Sequence, residues 1–411
     1  MTAICLLLST IELVAPARDA TVTLISDGQR AVLTNETLVA REAVFAADRK
    51  SGKKIRHDAY WRKSLPVVFR WKATAGEKGP WEILVSKNPD LSEARQFLFR
   101  SAKVDAATGR ETGSGKANDE QSKVLSCLNL EIGTRYYWRV TSDLTCGKFG
   151  HARKCDCKNR RPSVASEIGT FVTEDLAPRW IEIEGKVGNF RDLGGRIGLE
   201  GKRVRQGLVY RSQGLNSNSV DGIAKGKNRL TVSDVEYLTE TLGIRTDLDL
   251  RSPAEVAGMN GVSPLGKGVR YVHHSSQCYA EIFTPEGKKT MAKNFRVFLD
   301  RENYPILFHC IGGADRTGAL GYVLNGVLGV CRRELETDWE STFYPNIPDQ
   351  CHPNEPHFWC RESHFNDGFS KYGDEKTSWN ERIVLYLKDC GVTDAEIETF
   401  REIMLQPGTE G

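Results

Sequence analysis

The sequence His309-Cys-Ile-Gly-Gly-Ala-Asp-Arg-Thr-Gly318 follows directly on the apolar run Tyr304-Pro-Ile-Leu-Phe308 and leads into the apolar stretch Thr317 to Leu328. The first apolar run has the length of a buried strand and the second that of a buried helix, so the ten residues form a strand-to-helix turn. Such a turn aims successive backbone N–H groups inward at the positive end of the following helix, which favours a dianion before any side chain contributes. Gly312 and Gly313 permit the tight path, and Ile311, Gly312, Gly313 and Ala314 supply the amides of a phosphate cradle. The same field favours the thiolate of Cys310, because cysteines at helix N-termini or beside cations ionise at about 3.5–7.5. Arg316 offers a planar fork to two phosphate oxygens. Thr317 is placed to donate its hydroxyl to the sulfur as it departs, and His309 to orient the loop through backbone carbonyls. The alternative is a buried structural cysteine with an unrelated arginine.

This segment resembles the active-site loop of the cysteine-dependent protein tyrosine and dual-specificity phosphatases, and within them the bacterial branch whose loop reads His-Cys-x-x-Gly-Lys-Asp-Arg-Thr-Gly. Other stretches agree in the same order: Asn189-Phe-Arg-Asp-Leu-Gly-Gly195, Gly207-Leu-Val-Tyr-Arg-Ser212 and Leu242-Gly-Ile-Arg-Thr-Asp-Leu-Asp-Leu-Arg-Ser-Pro253. With the loop they cover residues 180 to about 345, and Gly391-Val-Thr-x-x-Glu-Ile397 adds a C-terminal match. The resemblance implies an α/β catalytic domain with a central, mostly parallel sheet flanked by helices. It also implies a phospho-cysteine intermediate on Cys310, with no metal and no other cofactor. Where the branch has lysine this chain has Ala314, which removes a second cation suited to a multiply phosphorylated ring. The expectation therefore tilts toward phosphotyrosine or another singly phosphorylated ester, with a phosphoinositide or small phosphoester as the alternative substrate.

The departing oxygen needs a proton. The chain has no Trp-Pro-Asp tripeptide, and the resemblance points to Asp315, next to the arginine. A structural carboxylate that accepts loop N–H groups is the other reading of Asp315. Asp247 and Asp249 are alternative acids, since Ile244 to Leu250 reads as a neighbouring strand whose C-terminal end opens toward the site. Asp249, Arg251 and Arg191 are expected as support, with Arg251 either bracing the loop or touching substrate.

Residues 178–408 alternate strand and helix signals. Ser233 with Glu236 reads as a capping box ahead of the Val235, Leu238, Leu242 stripe, which Gly243 ends. Tyr271 to His274 reads as a strand and Met291 to Leu299 as a helix. The pairs Ser378 with Glu381 and Thr393 with Glu396 open two closing helices.

Residues 15–175 have another grain. Val67-Val-Phe-Arg-Trp71, Trp81-Glu-Ile-Leu-Val85 and Tyr136-Tyr-Trp-Arg-Val140 alternate as half-buried strands. Leu130-x-x-Gly-Thr-x-Tyr-Tyr-Trp-Arg-Val140 resembles the late strand of a fibronectin type III sandwich, with Tyr136 as its tyrosine corner. The polar stretch Lys103 to Ser122 reads as a long loop, and Glu174-Asp-Leu-Ala-Pro178 as the boundary between the halves.

A chain of 411 residues with 39% hydrophobic content holds two cores, and a net charge of +3 points to neither nucleic acid nor a membrane surface. No stretch is long enough to span a membrane. The basic run Arg153 to Arg161 reads as a solvated loop or a contact for an acidic partner. Eleven cysteines leave disulfides open, with Cys146, Cys155 and Cys157 in one stretch and Cys351 and Cys360 in another. Cys351, His352, His357, Cys360 and His364 match no tight zinc pair. The apolar Met1 to Thr10 lacks a basic flank, so it reads as a shortened signal peptide or an edge strand. A sandwich on a bacterial hydrolase favours a periplasmic or secreted protein slightly over a cytoplasmic one. Three function classes follow: a metal-independent phosphatase acting on a phosphorylated protein or small phosphoester, a silent phosphate-binding module, and a thiol redox or arsenate-reducing protein. The sandwich would bind a protein or a glycan, or serve as a spacer.

Overall fold

The computed structural model describes residues 11–34, 64–73, 81–99, 120–126, 128–142, 164–216, 229–343 and 364–407. The chain divides into two compact units, Met1–Leu24 with Leu65–Asp175, and Ile25–Ser64 with Leu176–Gly411. Cys146, Cys155, Cys157, Cys351, His352, His357 and Cys360, the run 153–161 and residues 1–10 lie outside the described residues.

The first unit contains the strands β1 (Ile11–Ala15), β2 (Ala20–Val22), β3 (Val67–Ala73), β4 (Trp81–Ser86), β5 (Arg95–Phe99), β6 (Glu120–Leu125), β7 (Arg135–Ser142), β8 (Val164–Ala165) and β9 (Gly169–Thr173). One sheet runs β1-β3-β6 and the other β2-β9-β7-β4-β5, with β8 on β7. Side-chain alternation decides which face is buried: Val67, Phe69, Trp71 and Ala73 point inward from β3 while Val68, Arg70 and Lys72 face out. Strands β4 and β7 bury Trp81, Ile83 and Val85, and Tyr136, Trp138 and Val140. Rings from the two sheets meet edge to face, Phe69 on Trp138 at 5.0 Å and Trp71 on Trp81 at 5.5 Å. The loop expected over 103–122 ends earlier, because Gln121 and Ser122 pair with Trp71 and Arg70 in the β3–β6 ladder. Backbone pairing carries this polar sequence into a strand.

Among the described residues, 25–34 and Ser64 group with the second unit. There α1 (Asp27–Thr34) is tied by Arg333, whose Nη1 donates to the Leu33 carbonyl at 3.3 Å.

In the second unit β10 (Arg191–Asp192), β11 (Val209–Ser212), β12 (Thr246–Asp249), β13 (Arg270–His273) and β14 (Ile306–His309) form one sheet in the order β10-β11-β14-β12-β13. All pairs are parallel except β10 with β11. Strand β14 lies at the centre and is buried along its length, which explains why it reads as a continuous apolar run. Its last residue, His309, is in register with Ser212 on one side and Asp249 on the other. Three strand ends therefore finish together, where the ten-residue loop begins.

The helices are α2 (Val232–Glu236), α3 (Pro253–Val256), α4 (Pro285–Val297), α5 (Asp315–Val327), α6 (Arg332–Glu340), α7 (His364–Ser370), α8 (Trp379–Asp389) and α9 (Asp394–Met404). Helix α5 is buried at every position from Thr317 to Val327, covered by the sheet and by α6 and α8. Small residues allow this closeness, and a Cβ at Gly318 would stand 2.7 Å from Trp339 Cε2. The boxes Ser378 with Glu381 and Thr393 with Glu396 cap α8 and α9 as expected.

The box expected at Ser233 and Glu236 sits two residues earlier, at Thr231 and Asp234. A tertiary tie decides it: Asp234 is buried and also accepts the N–H groups of Glu184 and Gly185 at 2.8 and 2.9 Å, whereas Ser233 turns its hydroxyl to Glu184. Helix α2 then widens into a π turn over Tyr237–Thr241, and Gly243 closes it at φ 66°. Replacing Asp234 with Ala is expected to lower unfolding free energy by about 3 kcal/mol, because three backbone donors lose a charged acceptor. Ser233→Ala is expected to change it by less than about 0.5 kcal/mol, and urea melts of the two variants check the difference.

Candidate active site

The loop after β14 is held from behind through its carbonyl groups. Asn189 Nδ2 donates to the Gly312 and Gly313 oxygens at 3.1 and 2.8 Å, Arg211 Nη2 donates to Gly313 O at 2.8 Å, and the Gly214 N–H donates to Ile311 O at 3.0 Å. With these carbonyls engaged, the N–H groups of Ile311, Gly312, Gly313 and Ala314 make no hydrogen bond to the described residues. They stand next to the first turn of α5 and to Cys310, a free and buried thiol. Gly313 has φ 66°, and a Cβ there would lie 2.4 Å from Ser212 O, so the turn requires glycine.

A buried cationic cluster lies beneath this loop. Arg191 Nε and Arg196 Nη2 each reach Asp338 Oδ1 at 2.9 Å, and Arg211 Nη1 reaches Asp338 Oδ2 at 2.6 Å. Arg191 also binds the Asn189 side chain and the Asp338 carbonyl, which makes the expected supporting role of Arg191 concrete. The side chains of all four charged residues are exposed by 5% or less. Three cations thus share one carboxylate among the described residues. Burial alone would raise the Asp338 pKa, but the three arginines hold it far below the ordinary range. Burial and repulsion from Arg191 push Arg211 down to about 9, against the attraction of Asp338 and of Cys310.

On the other side His309 is wholly buried. Its Nδ1 lies 3.2 Å from the Cys310 carbonyl, which is the backbone contact expected of it, and its Nε2 lies 2.9 Å from Asp247 Oδ1. Burial opposes its charge, yet Asp249 and Asp247 raise its pKa. Asp249 is clasped by Arg251 Nη2 at 2.6 Å and accepts the Tyr271 hydroxyl at 3.0 Å. Burial pushes Asp249 up, but the charge of His309 and the bonds from Arg251 bring it down to about 2. Asp247 accepts Ser263 at 2.6 Å. Both alternative acids are therefore buried acceptors, with Asp249 anionic, and neither is placed to give up a proton. Arg251 directs its fork to Asp249 and its Nη1 to Asn216, at 3.0 Å.

Arg316 starts α5 beside Asp315, and its fork meets Glu255 at 2.7 and 3.1 Å. Burial works against its charge, while the Glu255 bonds and the nearby Cys310 raise its pKa. Glu255 falls to about 2 because the Arg316 bond and the Ser252 N–H outweigh its burial. Asp315 Oδ1 accepts the hydroxyl of Tyr279. The Thr317 hydroxyl, expected to donate to the sulfur as it departs, is fully buried and has no hydrogen-bond partner among the described residues. A buried orphan costs about 1–3 kcal/mol.

Sequence reasoning passed over Glu255, Asp338 and Tyr279, and quoted Asn189 and Arg211 without a role. Only Glu255 carried a local signal, the Ser252-Pro-Ala-Glu255 spacing of a capping box.

A model of the tyrosine phosphatase family matches residues 181–406, more than half of the chain. The chain belongs to the tyrosine phosphatase family. A protein of Cupriavidus necator named "putative tyrosine-protein phosphatase" is 28% identical over 174 residues, which cover 36% of this chain and 58% of the relative. The chain thus spans 58% of the length of the curated relative it matches. Two solved structures are similar to this family member. The core catalytic domain of the PP-IP phosphatase Siw14 from S. cerevisiae has 16% identity and a TM-score of 0.26, covering 44% of this chain and 91% of its own. A second Siw14 catalytic core has 14% identity and a TM-score of 0.25, covering 40% and 90%.

The low pKa of Asp249 sets an acid limit on the fold. Its folded value, about 2, lies below the ordinary 3.8, so its contribution is present above 3.8 and is lost as pH falls through the folded value. Thermal melts are expected to drop steeply from about pH 4 to about pH 2, and Asp249→Asn to be less stable at neutral pH with a flatter acid limb. His309 has the opposite sign: its raised pKa gives stability below 6.5 that is lost as pH rises through the folded value.

Proposed function

We propose that the second unit is a metal-independent phosphomonoester hydrolase, and that it acts as a protein tyrosine phosphatase through a phospho-cysteine on Cys310. The observation that carries this reading is the set of four unengaged loop N–H groups around a buried thiol at a helix start. Cys310 sulfur attacks phosphorus in line, and the P–O bond to the leaving group breaks. The loop amides of Ile311, Gly312, Gly313 and Ala314, with Arg316, hold the three equatorial oxygens. Asp315 gives its proton to the leaving oxygen, then takes one from the water that attacks the phospho-cysteine. Thr317, whose buried hydroxyl is otherwise unbonded, turns to the sulfur as it leaves. Glu255 accepts from both Nη1 and Nη2 of Arg316 and so fixes the guanidinium beside the loop.

The substrate is a singly phosphorylated ester, phosphotyrosine first. Ala314 is 2% exposed and offers no cation where a second phosphate would need one. A phosphoinositide or small phosphoester is the alternative. The first unit is read as a fibronectin type III-like sandwich that binds a protein or glycan. Its support is Tyr136, whose hydroxyl accepts the Glu131 N–H at 2.8 Å as a tyrosine corner does.

Release of phosphate from p-nitrophenyl phosphate with chelator and reductant present tests the reading. Turnover is expected to survive chelation, to fall at least about 1000-fold in Cys310→Ser, and to fall about 100-fold in kcat in Asp315→Asn, where the water that attacks the phospho-cysteine loses its base. Activity that needs a metal, or that persists in the serine variant, would overturn it. Glu255→Gln is expected to raise KM more than it lowers kcat, because the arginine fork loses its alignment before substrate arrives; steady-state kinetics separate the two parameters.

A further inference from the structure

The reading above gives Asp315 the proton, but a carboxyl group at a helix start turns freely about its last bond unless something holds it. Tyr279 does so. It lies on the short turn Tyr279–Phe283 between β13 and α4, and its hydroxyl donates to Asp315 Oδ1. Asp315 Oδ2 makes no hydrogen bond to the described residues.

Tyr279 is itself fixed on both sides. Its ring stacks on Trp339 with centroids 6.4 Å apart and planes 24° off parallel. Trp339 is buried against Gly318 of α5 and stands edge-on to Tyr322. Its chain neighbour is Asp338, the acceptor of the arginine cluster. The backbone of Tyr279 has φ 53°, a left-handed conformation that residues other than glycine rarely adopt and that persists only where surroundings enforce it. Burial and the bond to Asp315 push the phenol well above its ordinary range, so the hydroxyl is the donor of this pair.

We propose that Tyr279 is the positioning residue for the general acid: its hydroxyl holds Asp315 Oδ1 so that Oδ2 faces the leaving oxygen. When Oδ2–H gives up its proton and the ester bond breaks, the new carboxylate keeps the Tyr279 hydrogen bond. It then accepts a proton from the attacking water, which returns Asp315 to its acid form. The inference rests on Asp315 being the acid.

The test compares aryl phosphates whose leaving phenols differ in acidity. A good leaving group such as p-nitrophenolate needs little protonation, and a poor one such as phenolate needs much. Tyr279→Phe keeps the ring on Trp339, and an unchanged melting temperature checks that it does. Its kcat/KM is expected to fall about 10-fold for phenyl phosphate and less than about two-fold for p-nitrophenyl phosphate. Asp315→Asn is expected to show a steeper dependence of the same kind, and the double variant to match Asp315→Asn alone. A uniform fall across the series, no change at all, or additive losses in the double variant would overturn the role of Tyr279 while leaving Asp315 in place. If Asp315→Asn shows no dependence on the leaving group, the acid assignment fails and the role of Tyr279 falls with it.

Discussion

Asp338 is the carboxylate on which the site is built. It takes three buried arginines at once, Arg191, Arg196 and Arg211, and those arginines reach forward to what matters for chemistry. Arg191 fixes Asn189, and Asn189 with Arg211 takes the carbonyls of Gly312 and Gly313. A buried charge network of this kind gives little net stability, because desolvation consumes most of the attraction. Its use here is geometric and electrostatic: the loop amides are turned to one side, and a positive excess sits under the thiol. The coupling between Cys310 and Arg211 follows from that placement.

The second constraint is register. His309, Ser212 and Asp249 end their strands side by side, so the loop, the brace Arg251 and the buried His309 arise from one row of the sheet. On the other side Arg251 pairs with Asp249, and His309 lies between Asp247 and Asp249. In the arginine cluster three cations meet one carboxylate, on the β10–β11 side of the loop.

The loop and its central strand were legible because their signals are local: apolar run, glycines, nucleophile and fork occupy consecutive positions. The boxes at Ser378 and Thr393 were legible for the same reason. The misplaced box shows the limit. Ser233 and Thr231 both offer a hydroxyl, and the choice falls to Asp234 through contacts with Glu184 and Gly185, some fifty residues away in sequence. Asp338 lies in the last turn of an ordinary polar helix, α6, and nothing near it in sequence marks a partner for Arg211. Tyr279 lies in a turn without motif, and only the fold brings it to Asp315. The acidic pair Asp247 and Asp249 lies at the expected strand end, but both are buried, Asp249 against Arg251 and Asp247 against Ser263, which spacing does not reveal.

A phosphoryl group that passes through sulfur leaves a covalent adduct on Cys310. Rapid acid quench of the Asp315→Asn variant during turnover of an aryl phosphate, followed by intact-mass analysis and peptide mapping, tests it most directly. A single phosphate adduct on the peptide that contains Cys310, absent from Cys310→Ala, is the predicted result. Continued turnover with no adduct, or an adduct on another residue, would contradict it.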